Sequence, residues 1–185
     1  LDGPLLVLAG AGSGKTRVIT EKIGYLISEA GYNPKEIAAI TFTNKAAREM
    51  KERVESLLGG DLATTLVTFH SWCARFLRRE AGRLGYPSDY TIYDDDDQIR
   101  AVKAVMNDLE MDIKRLNPNA VLSTISGAKN RLISPEQFDG QPHDYFVSQV
   151  SKVYAAYEAR LRKCGAMDFD DLLFNAVRIL KRDED

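Results

Sequence analysis

The chain has 185 residues, 44% of them hydrophobic, with 25 Lys and Arg against 27 Asp and Glu and a formal net charge of −2. That is enough apolar residue to bury one sizeable core or a pair of small ones, which excludes a disordered chain. A balance this close to neutral excludes nucleic-acid binding through bulk charge, so any such function must rest on a local surface.

Up to about Tyr93 the pattern alternates between strand and helix. Leu5–Leu8 reads as a strand that breaks into small residues, followed by a helix with Val18, Ile19, Ile23, Leu26 and Ile27 on one face, ending near Gly31. Ile37–Phe42 reads as a second strand. The helix after Asn44 carries Ala47, Met50, Val54, Leu57 and Leu58 as its stripe and stops at Gly59-Gly60. Leu66–Phe69 is a short strand leading into a helix that packs Trp72, Phe76 and Leu77, and Tyr90–Tyr93 is a last brief strand. This alternation predicts a parallel sheet covered by helices.

From Asp94 to about Gly165 the period is helical. Ile99, Val102, Met106 and Leu109 form one stripe, Val121, Leu122, Ile125 and Leu132 another, and Val150, Val153, Tyr154, Tyr157 and Leu161 a third. Asn117-Pro118 suits a helix start, Ser134-Pro135-Glu136-Gln137 a capping box, and Cys164-Gly165 a helix end. An all-helical module interrupting an α/β domain is the expected architecture. Asp168–Leu180 begins a helix that could return to the first domain.

The stretch AGAGSGKT, from Ala9 to Thr16, has the spacing of a phosphate-binding loop with Ala9 in place of the first glycine. Gly10, Gly12 and Gly14 permit backbone angles other residues resist, so N–H groups along Ala9, Gly10, Ala11, Gly12, Ser13 and Gly14 can turn toward an anion at a helix N-terminus. In this reading Lys15 bridges the β- and γ-phosphates of a nucleoside triphosphate and Thr16 holds Mg²⁺. The loop says little about what the energy drives.

ITFTNKAAREM and VTFHSWCARF are alike in placement, each ending a strand with Thr-Phe and turning polar before a helix. Strand C-terminal ends line the ligand crevice of a doubly wound sheet, so Phe42, Thr43, Asn44 and likewise Thr68, Phe69, His70, Ser71 can face a working surface where rings stack on bases. The alternative is that Phe42 and Phe69 are core while Asn44 and Ser71 only cap helices. Lys45, Arg48, Lys51 and Arg53 alternate with glutamates as a solvated face does, whereas Arg75, Arg78 and Arg79 form a cleaner basic cluster. Asp94–Asp97 could hold a metal but reads better as a helix cap. Cys73 and Cys164 suit a reduced protein, and neither forms a metal-ligand cluster with His70 or His143. No apolar stretch approaches the roughly twenty residues of a membrane span, so the expected location is cytoplasmic, with no membrane partner.

Taken in order and spacing, AGAGSGKTRVIT, AAITFTNKAAREMKERV, VTFHSWCARFLRR, YTIYDDDDQ, ISGAKNRLIS and MDFDDLL resemble the UvrD/Rep/PcrA family of superfamily 1 DNA helicases from about Leu5 to Leu173. The resemblance implies an α/β fold, a P-loop (RecA-like) parallel sheet with helices on both faces. Residues 1–93 and 167–185 would be part of the ATP-binding domain 1A, and 94–166 the inserted helical domain 1B. It implies ATP-driven 3′ to 5′ movement along single-stranded DNA, with ATP and Mg²⁺ as cofactors. Gly12–Thr16 match the phosphate loop and Arg17 an arginine packing on the adenine. Phe42, Thr43 and Asn44 match one single-strand contact motif, and Thr68, Phe69, His70 and Ser71 a second. Lys129 and Arg131 are candidate contacts to a duplex junction, and Asp168–Leu172 match a structural return segment.

Hydrolysis in this family needs an Asp-Glu pair at the end of a hydrophobic strand, for Mg²⁺ and for the attacking water. No such strand is evident, and Asp183-Glu184 follows Lys181-Arg182 in a charged tail. The segment that reads adenine through glutamine, the second RecA-like domain and its arginine finger are also absent, and the chain has no initiating Met. The expectation is a piece of a helicase that binds ATP without turning it over and needs the C-terminal helicase domains of the same protein. A P-loop phosphotransferase or a non-catalytic nucleotide-binding module is the alternative, although the helical region lacks the arginine pair a kinase lid would need.

Overall fold

The computed structural model describes residues 3–10, 12–60, 63–139 and 144–182. Ala11, His143 and Asp183-Glu184, each singled out above, lie outside them. The chain divides into two compact units, Leu1–Trp72 and Cys73–Asp185.

In the first unit, α1 (Lys15–Ser28) and α2 (Asn44–Leu58) pack together beside a pair of strands, β1 (Ala38–Thr41) and β2 (Thr65–Thr68). Ile23, Ile37, Met50 and Val54 make its core, with Leu26, Ile27, Ala39, Leu58 and Leu66 around them. These are largely the stripes the helical period predicts, and each fully buried aliphatic side chain stabilises by about 1.5–3 kcal/mol. Thr43 caps α2 by accepting from the Ala46 N–H at 3.1 Å, and Gly59, at φ +78°, ends it in a left-handed turn. β1 and β2 run parallel with Ala38 opposite Thr65 and Thr41 opposite Thr68.

The expected strand at Leu5–Leu8 is corrected. These residues lie outside any strand, and Leu8 is 86% exposed. A strand exists through the partner that satisfies its backbone groups, and among the described residues no strand pairs with Leu5–Leu8. For the same reason Val18 and Ile19, at the start of the α1 stripe, stay exposed.

The second unit takes the C-terminal part of α3 (Phe69–Glu80) and is mostly helical. Next come β3 (Thr91–Ile92), α4 (Asp95–Asp108), α5 (Pro118–Asn130), α6 (Pro135–Asp139), α7 (Tyr145–Lys163), β4 (Ala166–Met167) and α8 (Phe169–Arg182). Val102, Met106, Val121, Ile125, Val150, Val153, Tyr154, Tyr157 and Leu161 share one core, so the helical stripes meet as their spacing predicts. Ile99, Leu109 and Leu132 are the exceptions: Ile99 is half-buried outside this core, Leu109 follows α4 and is exposed, and Leu132 follows α5 at φ +58° and is exposed. β4 carries no period of its own in the sequence; it pairs in parallel with β3, Thr91 opposite Ala166 and Ile92 opposite Met167.

The caps fall where predicted. Asp94 and Asp97 form a reciprocal capping box on α4, which gives the aspartate run a helix-capping role. Ser134 and Gln137 do the same for α6, Asn117 caps α5, and Gly165 follows α7 at φ +59°. The architecture is therefore mixed α/β and mostly helical, and the described strands form two separate two-stranded parallel pairs. Among the described residues no helix is long and apolar enough to cross a membrane.

Candidate functional site

The phosphate-loop residues enter α1 through Gly12 at φ +71° and Gly14 at φ +88°, the left-handed region that favours glycine. Gly14 is the N-cap and offers no side chain, so the first-turn N–H groups of α1 have no side-chain cap. Lys15 curls back, donating to the Gly10 carbonyl at 2.6 Å and the Ala9 carbonyl at 3.3 Å, and Ser13 Oγ donates to Gly10 at 2.6 Å. Thr16 is half-buried, and Arg17 lies on the surface, 3.7 Å from Glu21. An uncapped helix start, an exposed ammonium and an adjacent hydroxyl are the donor set that a Mg²⁺-bound polyphosphate requires, so the residues present fit ATP.

The second cluster follows from the register of the first sheet. Because Thr41 stands opposite Thr68, the next residues, Phe42 and Phe69, emerge side by side at the C-terminal edge of the strands. Their ring centroids are 5.6 Å apart at 52°. Phe42 is 91% exposed and Phe69 43%, so the alternative that both are core does not hold. The capping roles also shift by position. Thr43, rather than Asn44, caps α2, and Thr68, rather than Ser71, caps α3, accepting from the Ser71 N–H at 3.2 Å and donating to Ser71 Oγ at 2.9 Å. Asn44 is left exposed beside the rings, with His70 and Ser71 half-buried. A parallel pair thus sets two aromatic faces at one edge, flanked by helix starts.

The basic residues divide. Lys129 is 1% exposed, and its ammonium lies 2.5 Å from Glu158, 2.7 Å from Asp168 and 2.7 Å from Asp171. Burial opposes its charge, but Asp171, Asp168 and Glu158 together outweigh that cost and hold Lys129 well above the usual lysine range. The expectation that Lys129 reaches a duplex is therefore corrected: enclosed by carboxylates, it faces inward. Arg131 stays on the surface, its Nε donating to the Gly127 carbonyl at 3.0 Å. In the Arg75, Arg78 and Arg79 cluster, Arg78 is structural. It donates to the Ser88 and Tyr90 carbonyls at 3.0 and 2.7 Å and stacks 4.0 Å over the Tyr90 ring.

The buried quartet is the feature that sequence reasoning missed. Its signal was available, since Lys129 continues the i, i+4 row of Val121 and Ile125, both fully buried. Glu158, Asp168 and Asp171 bring carboxylate oxygens within 4.8 Å of one another, the grouping of a metal site, but the Lys129 ammonium supplies the cation there.

The family model for the UvrD/REP helicase N-terminal domain matches residues 1–185. The chain is 48% identical over 182 residues to the ATP-dependent DNA helicase PcrA of Bacillus subtilis strain 168, covering 98% of this chain and 25% of that protein. It is 44% identical, with the same coverage, to proteins of the same name from Staphylococcus epidermidis strain ATCC 12228 and Staphylococcus aureus strain NCTC 8325. The chain thus spans 25% of the length of these curated relatives. With a glycine-rich loop entering α1, a paired aromatic edge, and a family match along its whole length, the chain belongs to the UvrD/REP helicase N-terminal domain family.

Proposed function

We propose that this chain is the ATP-binding and single-stranded-DNA-contacting part of an ATP-dependent 3′ to 5′ DNA helicase or translocase. The observation that carries the reading is the juxtaposition of Phe42 and Phe69 at the ends of adjacent parallel strands, in the unit that also holds the phosphate loop. Exposed rings are unfavourable in water unless a partner covers them, and base faces stack on them without regard to sequence.

In this reading Gly10, Ala11, Gly12, Ser13 and Gly14 would hold the phosphates, Lys15 would neutralise them, Thr16 would hold Mg²⁺ and Arg17 would pack on the adenine. Bound ATP supplies the phosphoryl group whose loss would drive movement. Phe42 and Phe69 hold bases, Thr43, Asn44, Thr68, His70 and Ser71 and the helix starts behind them meet the backbone, and Arg131 lies toward a duplex junction. Residues 1–93 and 167–185 are then part of the RecA-like domain 1A, with 94–166 as domain 1B. Alone the chain binds ATP without turning it over, because turnover needs the Asp-Glu strand and the second helicase domain. Titrating Mg²⁺-ATP onto wild type and Lys15→Ala, and single-stranded DNA onto wild type and Phe42→Ala, tests both halves. Undiminished affinity in both variants would sink the reading.

A further inference from the structure

Counting charge in the buried quartet leaves a discrepancy. Glu158, Asp168 and Asp171 face one ammonium, so with every carboxyl ionised the cluster would carry an excess of negative charge in a site where Lys129 and Asp171 are essentially inaccessible. Uncompensated buried charge is strongly unfavourable, and a carboxyl relieves it by taking up a proton.

Burial and hydrogen bonding narrow the choice to two carboxyls. Asp168 Oδ1 accepts from the Asp171 N–H at 2.8 Å, and its Oδ2 accepts from Lys129 at 2.7 Å and from the Tyr157 hydroxyl at 3.1 Å. Asp171 Oδ1 accepts from Lys129 at 2.7 Å and Oδ2 from the Asp168 N–H at 3.1 Å. All four aspartate oxygens are thus engaged as acceptors, yet burial pushes the Asp171 carboxyl well above the usual carboxylate range, with Lys129 opposing the rise. Glu158 is the second candidate. Its Oε1 is buried 2.5 Å from the ammonium. Its side chain is 14% exposed and lines a groove of about 240 Å³ with Ser134, Glu136, Arg162, Phe174 and Arg178, which gives a proton access from solvent.

We propose that the Lys129 cluster is a proton-binding site, with one proton held between Glu158 and Asp171 near neutral pH, so that the packing of α5, α7 and α8 around it depends on pH. The surrounding groups agree with this. Burial pushes the Glu158 carboxyl upward, Lys129 opposes the rise, and Asp168 adds to it. Tyr157 and Tyr154 of α7 are held far above the tyrosine range, first by burial, and Tyr86 is pushed up to about 12 by burial, with Asp171 and Glu158 adding to it. None of the three tyrosines gives up a proton in the neutral range. Arg162 on α7 favours ionised Glu158 but stays exposed, as do Glu136 of α6 and, in part, Arg178 of α8 at the rim of the groove. For a carboxyl whose folded value is raised, the stabilising proton is fully bound below the unfolded value and is lost as pH rises through the folded value. Stability contributed by the cluster's proton therefore falls as pH rises.

The direct test is carboxyl ¹³C NMR on the chain labelled at glutamate and aspartate, with Glu158→Gln and Asp171→Asn assigning the signals. The expected result is a midpoint on Glu158 or Asp171 well above the ordinary carboxyl values of about 3.9 to 4.3. Midpoints at or below those values on both residues would overturn the assignment. Thermal melts give a second readout. Glu158→Gln, which mimics the protonated acid, should match wild type at about pH 5 and melt a few degrees above it by about pH 8. Parallel curves for the two proteins would contradict the proposal.

Discussion

Phe42 and Phe69 are separated by more than twenty positions in the chain, yet their ring centroids lie 5.6 Å apart, because Thr41 and Thr68 are register partners in a parallel strand pair. Each ring is the first residue past its strand. Phe42 at 91% exposure contributes almost no buried area, so Phe42→Ala should change stability by less than about 0.5 kcal/mol, the range of surface substitutions. A urea melt checks this, and a large loss would mean the ring packs into the core after all.

Lys15→Ala should leave the fold intact, since the ammonium is exposed and, among the described residues, donates to carbonyls of its own loop. It removes charge-assisted bonds to phosphate worth about 1.5–3 kcal/mol, roughly a ten- to hundredfold loss of Mg²⁺-ATP affinity. Calorimetric titration beside a circular-dichroism control is the check. Equal affinity in a well-folded variant would remove the phosphate-loop assignment.

Lys129 and Arg131 are two residues apart and should behave oppositely. Lys129→Met leaves Glu158, Asp168 and Asp171 without their counter-ion and should cost about 3–5 kcal/mol of stability. Arg131→Ala, on the surface, should leave the melting curve in place. If Arg131 meets duplex phosphate, its removal should weaken duplex binding evenly across sequences and reduce the salt dependence. Comparable melting of the two variants would show that the quartet does not hold the helices together.

An arginine delivered across a cleft between domains is worth on the order of 10³ to 10⁵ in rate in related phosphoryl-transfer enzymes. The 185-residue chain should therefore show no phosphate release stimulated by single-stranded DNA and no unwinding, whereas protein extended through an Asp-Glu strand and a second helicase domain should show both. Stimulated release from the chain alone, abolished by Lys15→Ala, would contradict the assignment of the missing base.

Local chemistry was legible from sequence wherever a short-range rule decides the structure. Asp94, Asn117, Ser134 and Gly59 cap or end helices as their residue types require, and the stripes of α4, α5 and α7 meet in one core. The aromatic pair was legible as two similar strand ends, although not as a contact. Outcomes that depend on a distant partner were less readable. Leu5–Leu8 has strand composition but no strand beside it among the described residues, while the brief β4 exists only because Thr91 and Ile92 pair with it. Lys129 looked like a surface cation because lysine usually is one, and only the arrival of Asp168 and Asp171 from about forty positions away makes its buried position tolerable.

The measurement that bears most directly on the central claim is equilibrium binding of a labelled single-stranded oligonucleotide, read by fluorescence anisotropy at fixed salt, for wild type and Phe42→Ala. Wild type should bind the single strand more tightly than the matching duplex, and the variant should lose about 1–3 kcal/mol of single-strand affinity at unchanged stability. Equal affinity of the two proteins, or a preference of wild type for duplex, would contradict the reading of this edge as a single-strand contact.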